Sequence, residues 1–512
     1  MSEVKTPMEF FEGGLIELWK VKALKYQIDI YKEITDIAGP DFYKNWGIVL
    51  PTGTGKTYIA MLLADFFYEV GAILMMAPTN PLLQQHYKTF RQCLRFPDEV
   101  HLVSGGNPKK RNEIWDQNGI FLATPQTVLE DLKHGRLRFD KRIFSMVICD
   151  EAHLAAAGKY AYCEISQYAL HHKVKVIAMT ASPGNEGKRY RIKKNLNLGK
   201  WIIKTEKDED IKEHTHPKEE IPRVDALPKD LDEMRIRIEK HLKEKATYFH
   251  RYNYRVKPDT ILRRKDLKVL RANIVAKGRP AMWQPLKMYS IYSKWLYLYE
   301  VLMTENYESA LRYMEKLQEE AVGKSRISAV AEMCSGLLFQ WVKKRLKRLV
   351  SQNKLHPKSK ALLELLDYIW KPGYSIVIFG NSYKVNQDLS KMIENTKYEF
   401  SDQVRLIAGK KFMNQKTQQK ILKDFVDKKF SILISTTVLE LGMHLPVLDA
   451  LISYSVPKTD ISYVQRRGRV GRVRIGTIYV LMVKHEADQT MFFATRATAR
   501  SIAEKKQMAF EF

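Results

Sequence analysis

A glycine-rich loop that ends in a lysine and a threonine is the part of this 512-residue sequence that most directly implies chemistry. It reads Pro-Thr-Gly-Thr-Gly-Lys-Thr over residues 51–57 and lies between an apolar, strand-like run and an apolar stretch of helical length. Glycines allow backbone N–H groups to approach phosphates, and the helix directs its positive end at them. The loop therefore predicts a triphosphate site, with a chance glycine-rich turn as the alternative. Its binding residues would be Thr52, Gly53, Thr54, Gly55, Lys56 on the β and γ phosphates, and Thr57, whose hydroxyl would bind Mg²⁺.

Two adjacent carboxylates follow another apolar run. Asp150-Glu151-Ala152-His153 comes directly after Met146–Cys149. Asp150 could bind the Mg²⁺ that accompanies a triphosphate, and Glu151 could orient and deprotonate an attacking water. Paired acids at the end of a strand can also cap a helix, but the glycine-rich loop favours the hydrolytic interpretation.

A run of arginines occurs much later, in Gln465-Arg-Arg-Gly-Arg469-Val-Gly-Arg472. Planar guanidinium groups suit the negative charge that develops during phosphoryl transfer. If Arg469 and Arg472 face the triphosphate across a cleft, they and Gln465 would complete the catalytic set. A solvated basic surface is the alternative interpretation.

The elements that must position these residues form two α/β units. Between about 45 and 203, and again between about 374 and 483, short apolar runs alternate with amphipathic, helix-length stretches. The runs that predict strands are WGIVL, AILMMAP, IFLAT, SMVICD and VKVIAMT in the first unit and YSIVIFG, VRLIAG, FSILIS, DALISYS and GTIYVLMV in the second. Continuously apolar strands are typical of parallel sheets covered by helices on both faces. Residues 204 to about 218 are charged and predict a linker, and 229 to 350 show only helical spacing. We therefore predict three domains: the first α/β unit at 1–203, the linker and helical insertion at 204–355, and the second α/β unit at 356–512.

The charge of the chain indicates its partners. Lys and Arg total 85 against 58 Asp and Glu, which gives +27 and a pI near 9.6, so polyanions and above all nucleic acid are favoured. No apolar run approaches the roughly 18 residues that span a bilayer, so no membrane role is expected. Four cysteines without a CxxC pair, and no secretory signal, predict a reducing compartment: the nucleoid-associated cytoplasm of a prokaryote, or otherwise an intracellular site.

The motifs, in this order, resemble those of superfamily 2 helicases of the DEAH type: the glycine-rich loop, Asp-Glu-Ala-His, Thr180-Ala-Ser182 and the arginine run. Pro183, Gly184 and the helical insertion are similar, more narrowly, to the helicase part of archaeal Hef and the Fanconi-anaemia M-type proteins. The RNA-sensing helicases and the Dicer helicase domain are related to these. The resemblance covers about residues 17 to 505. It implies two RecA-like domains, a thumb-like insertion, motifs IV to VI and a terminal helix in the second domain, and ATP and Mg²⁺ as cofactors.

The resemblance also implies roles for residues whose types alone would suggest ordinary turns or helices. Gln27 would read adenine, Gly442 would contact the nucleotide, and His153, Thr180 and Ser182 would couple the nucleotide to movement. The residues implied to follow a nucleic-acid strand are Pro78, Thr79, Gly105, Gly106, Thr124, Pro125, Asn381 and Thr437.

The function that the resemblance implies is ATP-dependent remodelling or unwinding of DNA, with forked or branched DNA in repair or replication favoured. One departure is His444, which stands where the family has an aspartate. The alternatives are an RNA-directed ATPase and a nucleic-acid-binding scaffold that His444 has uncoupled. No ERKxxxD-type nuclease motif is present, so we expect any nuclease or repair partner to be a separate protein. Basic and aromatic clusters in the insertion, at 248–252, 263–265 and 343–348, could bind duplex or fork, or could be solvated helix faces.

Overall fold

The computed structural model describes residues 23–36, 44–105, 107–139, 144–206, 208–212, 218–278, 281–322, 328–409, 411–436, 448–456 and 476–484. These residues form two parallel sheets and a group of helices between them along the chain. The α/β fold class predicted from the sequence is confirmed.

The first sheet has seven strands in the order β3-β4-β2-β5-β6-β1-β7, and every neighbouring pair is parallel. Its strands are β1 (Trp46–Val49), β2 (Ala72–Met76), β3 (Val100–Val103), β4 (Ile120–Ala123), β5 (Phe144–Cys149), β6 (Lys175–Thr180) and β7 (Lys200–Ile203). Its helices are α1 (Lys25–Thr35), α2 (Lys56–Tyr68), α3 (Asn80–Cys93), α4 (Pro108–Trp115), α5 (Pro125–Lys133), α6 (Ala161–His171), α7 (Glu186–Asn195) and the short α8 (Glu209–Lys212).

Both faces of this sheet are covered, as the apolar strands require. Alternate residues of β2 enter different cores: Ile73 and Met75 pack with α1, α2 and α3, whereas Leu74 and Met76 pack with α4 to α7. Successive side chains of a strand point to opposite faces, so a strand that is apolar throughout must be buried twice. The loops at the carboxyl ends of these strands are thereby held on a rigid layer.

The second sheet has six parallel strands in the order β10-β11-β9-β12-β13-β8. Its strands are β8 (Lys218–Asp225), β9 (Ile376–Phe379), β10 (Val404–Ile407), β11 (Ile432–Ser435), β12 (Ala450–Ser453) and β13 (Gly476–Val483), and its helices are α15 (Pro357–Ile369), α16 (Tyr383–Glu394) and α17 (Gln415–Val426). Alternate residues of β9 again enter two cores, one with α15 and α16 and one with α17.

The strand β8 was not predicted, because residues 204–355 were assigned to a linker and a helical insertion. It is an edge strand, and Pro222 pairs with Val480 within it. Proline is tolerated at an edge because only one side of the strand has to donate hydrogen bonds to a neighbour. The chain thus adds a strand to the second sheet before it enters the insertion.

The insertion is helical, as predicted, and has a core of its own. Its helices are α9 (Lys229–Arg251), α10 (Arg264–Ala276), α11 (Trp283–Thr304), α12 (Tyr307–Val322), α13 (Ser328–Ser335) and α14 (Leu337–Ser351). Tyr292, Trp295 and Tyr299 of α11 are buried in this core, in keeping with their helical spacing, and Val483 of β13 packs into it.

Polar contacts join the insertion to the second sheet's unit. Arg312 of α12 donates to Asp388 of α16 at 2.9 Å, and Tyr454 after β12 donates from its hydroxyl to the carbonyl of Glu305 at 2.8 Å. His356 Nε2 contacts the carbonyl of Leu302 at 3.1 Å, while its Nδ1 accepts from the backbone N–H of Lys358. These contacts hold the end of α11 and the start of α12 against the second unit.

Candidate functional site

The glycine-rich loop connects β1 to α2 and depends on two glycines for its shape. Gly53 and Gly55 have φ angles of 85° and 75°, in the left-handed region that favours glycine. A Cβ on Gly55 would also lie 2.3 Å from Nε2 of Gln27. The loop therefore needs glycine at position 55 for both its conformation and its fit against α1.

Helix α1 supports the loop from behind. Tyr26 donates from its hydroxyl to the carbonyl of Thr54 at 2.6 Å, and Gln27 donates to the same carbonyl at 3.3 Å. Burial raises the pKa of Tyr26 to about 12, so this donor keeps its proton. Gln27 also accepts from the backbone N–H of Leu24. Gln27 thus lies beside the loop with its amide engaged by backbone, and its role toward adenine stays a prediction.

Lys56 and Thr57 begin α2, where a phosphate would meet them. The Lys56 ammonium donates to the carbonyls of Leu50 at 3.1 Å and Pro51 at 3.2 Å, so phosphate oxygens would replace neutral acceptors with charged ones. The Thr57 hydroxyl lies 3.4 Å from Nδ1 of His86.

His86 of α3 links the two residues predicted to hold a metal ion. Its Nε2 lies 2.8 Å from Oδ2 of Asp150, so its ring stands between Thr57 and Asp150. Burial would raise the pKa of Asp150, but the hydrogen bond from His86 and the charge of Lys56 outweigh burial and lower it. Asp150 is therefore an ionised oxygen donor at neutral pH.

This donor set fits Mg²⁺, which prefers carboxylate and hydroxyl oxygens and keeps several of its waters. Thr57 and Asp150, which His86 contacts from either side, are the residues that would hold the ion. His86 was not predicted from the sequence. It could have been noticed as a histidine among the buried apolar positions of α3, with Leu82, Leu83 and Phe90.

Glu151 has an unusual backbone, with φ at 51° and ψ at 45°. A non-glycine residue in the left-handed region costs about 1–3 kcal/mol, and such residues cluster at functional sites. Its backbone N–H donates to Oδ1 of Asp150 at 2.9 Å, which fixes the two carboxylates relative to each other.

The three predicted coupling residues form a chain of contacts that begins at Glu151. His153 Nδ1 is 3.2 Å from a carboxylate oxygen of Glu151 and 3.2 Å from the Thr180 hydroxyl, which accepts from the backbone N–H of Ser182. The Ser182 hydroxyl is buried and has no hydrogen-bond partner among the described residues. A chain of polar contacts therefore leads from the carboxylate after β5 to the loop after β6.

Tyr162 of α6 is a second residue that the sequence analysis missed. Its buried hydroxyl donates to the carbonyl of Asp150 at 2.6 Å and lies 3.3 Å from that of Met76. Burial raises its pKa far above the ordinary value, so it remains a donor. It fastens the ends of β2 and β5 side by side.

The loops predicted to follow a nucleic-acid strand lie at the same edge of the first sheet as the glycine-rich loop, because they too follow parallel strands. Pro78 and Thr79 follow β2, Gly105 follows β3, and Thr124 with Pro125 follows β4. The Thr79 hydroxyl is buried without a partner among the described residues, whereas Thr124 caps α5 by accepting from the N–H of Thr127.

A buried ionic cluster joins the loop after β3 to the helix after β4, and it was not predicted from the sequence. Arg111 of α4 donates to the carbonyl of Gly105 at 2.8 Å and, through two nitrogens, to Asp131 of α5 at 2.9 Å each. Trp115 and Arg136 also donate to Asp131. The loop after β3 and the helix after β4 thus share one anchor.

In the second unit, Asn381 follows β9, and its backbone N–H donates to the Ser455 hydroxyl at 3.2 Å. The remaining predicted residues lie outside the described residues: Gly106, Thr437, Gly442, His444, Gln465, Arg469 and Arg472. Across the described ranges no group of residues could hold a metal through three His, Cys, Asp or Glu side chains, and no helix has the length and apolar character to cross a membrane.

Two known protein families match parts of the chain. The family "Type III restriction enzyme, res subunit" matches residues 20–185, and "Helicase conserved C-terminal domain" matches residues 357–474. The chain is 29% identical over 495 residues to a Methanocaldococcus jannaschii protein named as an ATP-dependent RNA helicase, covering 94% of this chain and 60% of that protein. It is 27% identical over 475 residues to the ATP-dependent DNA helicase fml1 of Schizosaccharomyces pombe, covering 86% and 55%.

The crystal structure of the Pyrococcus furiosus Hef helicase domain is similar over 92% of this chain and 98% of that one, with a TM-score of 0.66 and 26% identity. The chain spans little more than half the length of the two curated relatives above.

Proposed function

We propose that the chain hydrolyses ATP to move along and remodel nucleic acid, with DNA as its substrate. The premise is that the chain has the core of a superfamily 2 helicase and resembles the helicase part of Hef and the Fanconi-anaemia M-type proteins. The observation that carries the proposal is the grouping at one sheet edge of Lys56, the pair Thr57 and Asp150 joined through His86, and Glu151 in contact with His153.

Each residue has a task that its surroundings support. Lys56 exchanges its two loop carbonyls for β and γ phosphate oxygens, and the glycine-rich backbone donates N–H groups to the same phosphates. Mg²⁺, held by Thr57 and Asp150, would neutralise the charge of the phosphates when bound. Glu151 accepts the proton of the attacking water, and His153 orients the Glu151 carboxylate. From the second unit, Gln465, Arg469 and Arg472 are the residues that we propose to act on the transferring phosphoryl charge.

Coupling to nucleic acid follows from the contacts of His153. Loss of the γ phosphate changes what Glu151 contacts, and His153 passes that change to Thr180 and Ser182. Thr180 ends β6 and Ser182 follows it, and β6 lies between β5 and β1 in the sheet whose other loops we propose to contact the nucleic acid. A cycle of nucleotide binding and hydrolysis can therefore alter the strand-following loops.

DNA is favoured over RNA because the relative from Schizosaccharomyces pombe is named as a DNA helicase. The net charge of +27 fits a phosphate backbone of either kind. The second candidate is an RNA-directed ATPase, because the Methanocaldococcus jannaschii relative is named as an RNA helicase.

The insertion supplies a surface for the duplex or fork. Residues 251–278 contain nine Lys or Arg and two Asp. Arg255, Lys257 and Arg263 line a cavity of about 370 Å³ against α10, and Lys268 and Arg271 are exposed on that helix. Such cationic groups bind phosphates without reading sequence.

ATP turnover with matched single-stranded, duplex and forked DNA, and the same RNAs, tests the proposal at one fixed salt concentration. We expect forked DNA to stimulate hydrolysis most. Stimulation by RNA alone would replace the proposal with the second candidate. Tight binding without hydrolysis would indicate a scaffold, and His444→Asp would then be the first change to make.

The role of the insertion is tested by Lys268→Glu with Arg271→Glu. We expect this variant to lose more affinity for forked and duplex DNA than for single-stranded DNA, relative to the wild type. The control is Lys391→Glu, an exposed lysine of α16. Equal losses on every substrate would contradict a fork-binding insertion.

A further inference from the structure

Two stacked aromatic rings lie at the carboxyl edge of the second sheet, apart from every residue assigned above. Tyr383 is the first residue of α16 and follows Asn381 by two positions, and Phe412 lies in the loop after β10. Their ring centroids are 4.4 Å apart and their planes differ by 14°. Helix α16 packs against β10, which brings its first residue over this loop.

Phe412 is exposed to a degree that packing does not explain. Half of its surface, 52%, is accessible, although the ring is wholly apolar. Tyr383 is half-buried and its hydroxyl accepts from Gln387 at 3.0 Å, so it is a fixed backing for one face of Phe412. The loop itself is held by backbone bonds from Phe412 and Met413 to the carbonyl of Gly409. A rigid ring is thus presented to solvent.

The charge around the rings indicates what would contact them. Residues 409–423 contain five lysines and no acidic residue. Lys384, Lys411 and Lys416 are exposed and make no ion pair within the part of the chain that the structure describes. The Lys411 ammonium lies 5.6 Å from the centre of the Phe412 ring. An exposed ring among unpaired cations suits a ligand that has flat apolar faces and regularly spaced phosphates.

We propose that Phe412, backed by Tyr383, is a stacking platform for an unpaired base of the strand that passes Asn381, with the nearby lysines on its phosphates. The inference rests on the proposed function and names a contact within it. Aromatic side chains bind single strands in this way because every base has a π face, so the platform selects no sequence. It would hold the strand in register between steps.

Fluorescence anisotropy with two labelled single-stranded DNA probes tests the platform: a mixed-sequence strand, and the same backbone with abasic sites throughout. Phe412→Leu keeps an apolar side chain but removes the ring. We expect it to bind the base-bearing strand about 5- to 100-fold more weakly and the abasic strand as the wild type does. Phe412→Trp should restore wild-type binding of the base-bearing strand.

The matched control is Tyr368→Leu, which removes an aromatic ring that is 82% exposed at the end of α15, at the opposite edge of the sheet. We expect it to change neither affinity. If Phe412→Leu weakens both strands equally or neither strand, the platform is refuted while the proposed function stands. If the wild type binds no nucleic acid of any kind, the proposed function and the platform are refuted together.

Discussion

The buried cluster around Asp131 gives a prediction whose size follows from the structure. Asp131 is fully buried and accepts hydrogen bonds from Arg111, Trp115 and Arg136. Burial alone would raise its pKa, but these donors outweigh burial and lower it. Asp131→Asn keeps the shape, removes the buried charge and leaves the buried Arg111 guanidinium with only the exposed Glu130 as a counter-ion. Breaking a buried pair from one side costs about 3–5 kcal/mol.

The neighbouring Glu130 is a matched control, because it contacts the same two arginines, at 3.2 Å each, with a side chain that is 54% exposed. Exposed pairs contribute about 0–1 kcal/mol, so Glu130→Gln should have little effect. Hydrogen exchange measured on peptides from α4 and α5 of the intact protein gives the free energy of opening without assuming two-state unfolding of several domains.

We expect this opening free energy to fall by about 3–5 kcal/mol in Asp131→Asn and by less than about 1 kcal/mol in Glu130→Gln, with α14 unchanged in both. Equal, small changes in the two variants would show that burial does not make the Asp131 contacts stronger than the Glu130 contacts.

Three further predictions follow from single contacts. Glu151→Gln should lower ATP turnover about 10²- to 10⁴-fold while nucleotide affinity, measured by titration, is retained; unchanged turnover would exclude Glu151 as the base. His153→Ala should reduce the stimulation by DNA more than the basal rate, and an equal loss in both would argue against coupling. Burial lowers the pKa of His356 to about 3, so the folded chain excludes a proton that the unfolded chain binds below pH 6.5. Stability near Leu302 should therefore fall by up to about 1.4 kcal/mol per pH unit between pH 6.5 and 3, and His356→Asn should remove that slope in hydrogen exchange.

Most of the strands that could be predicted from the sequence lie inside the sheets, whereas the strands that were missed lie at the edges. The predicted runs in β1, β2, β4, β5 and β6 are interior strands, buried on both faces and therefore continuously apolar. The strands that were missed, β3, β7 and β8, are all edge strands, and of the four edge strands only β10 was predicted. An edge strand has one open side and tolerates Lys200, His101 or Pro222, which disrupt the apolar signal.

The site shows a similar division. Lys56, Asp150 and Glu151 could be predicted because they belong to contiguous motifs that follow strands, and parallel strands bring their carboxyl ends together. His86 and Asp131 could not be predicted, because each lies in an ordinary amphipathic helix. Their roles depend on partners that are distant in sequence: Asp150 is 64 residues from His86, and Arg111 is 20 residues from Asp131. Local pattern reveals which loops meet, whereas the residues that hold those loops depend on helix packing.

The nucleotide site is tested by ATP hydrolysis of the purified wild type and of Lys56→Ala, each with and without forked DNA. We expect DNA to stimulate the wild type, and we expect Lys56→Ala, with its fold intact by circular dichroism, to hydrolyse no ATP under either condition. Undiminished hydrolysis in Lys56→Ala would contradict the assignment of the nucleotide site.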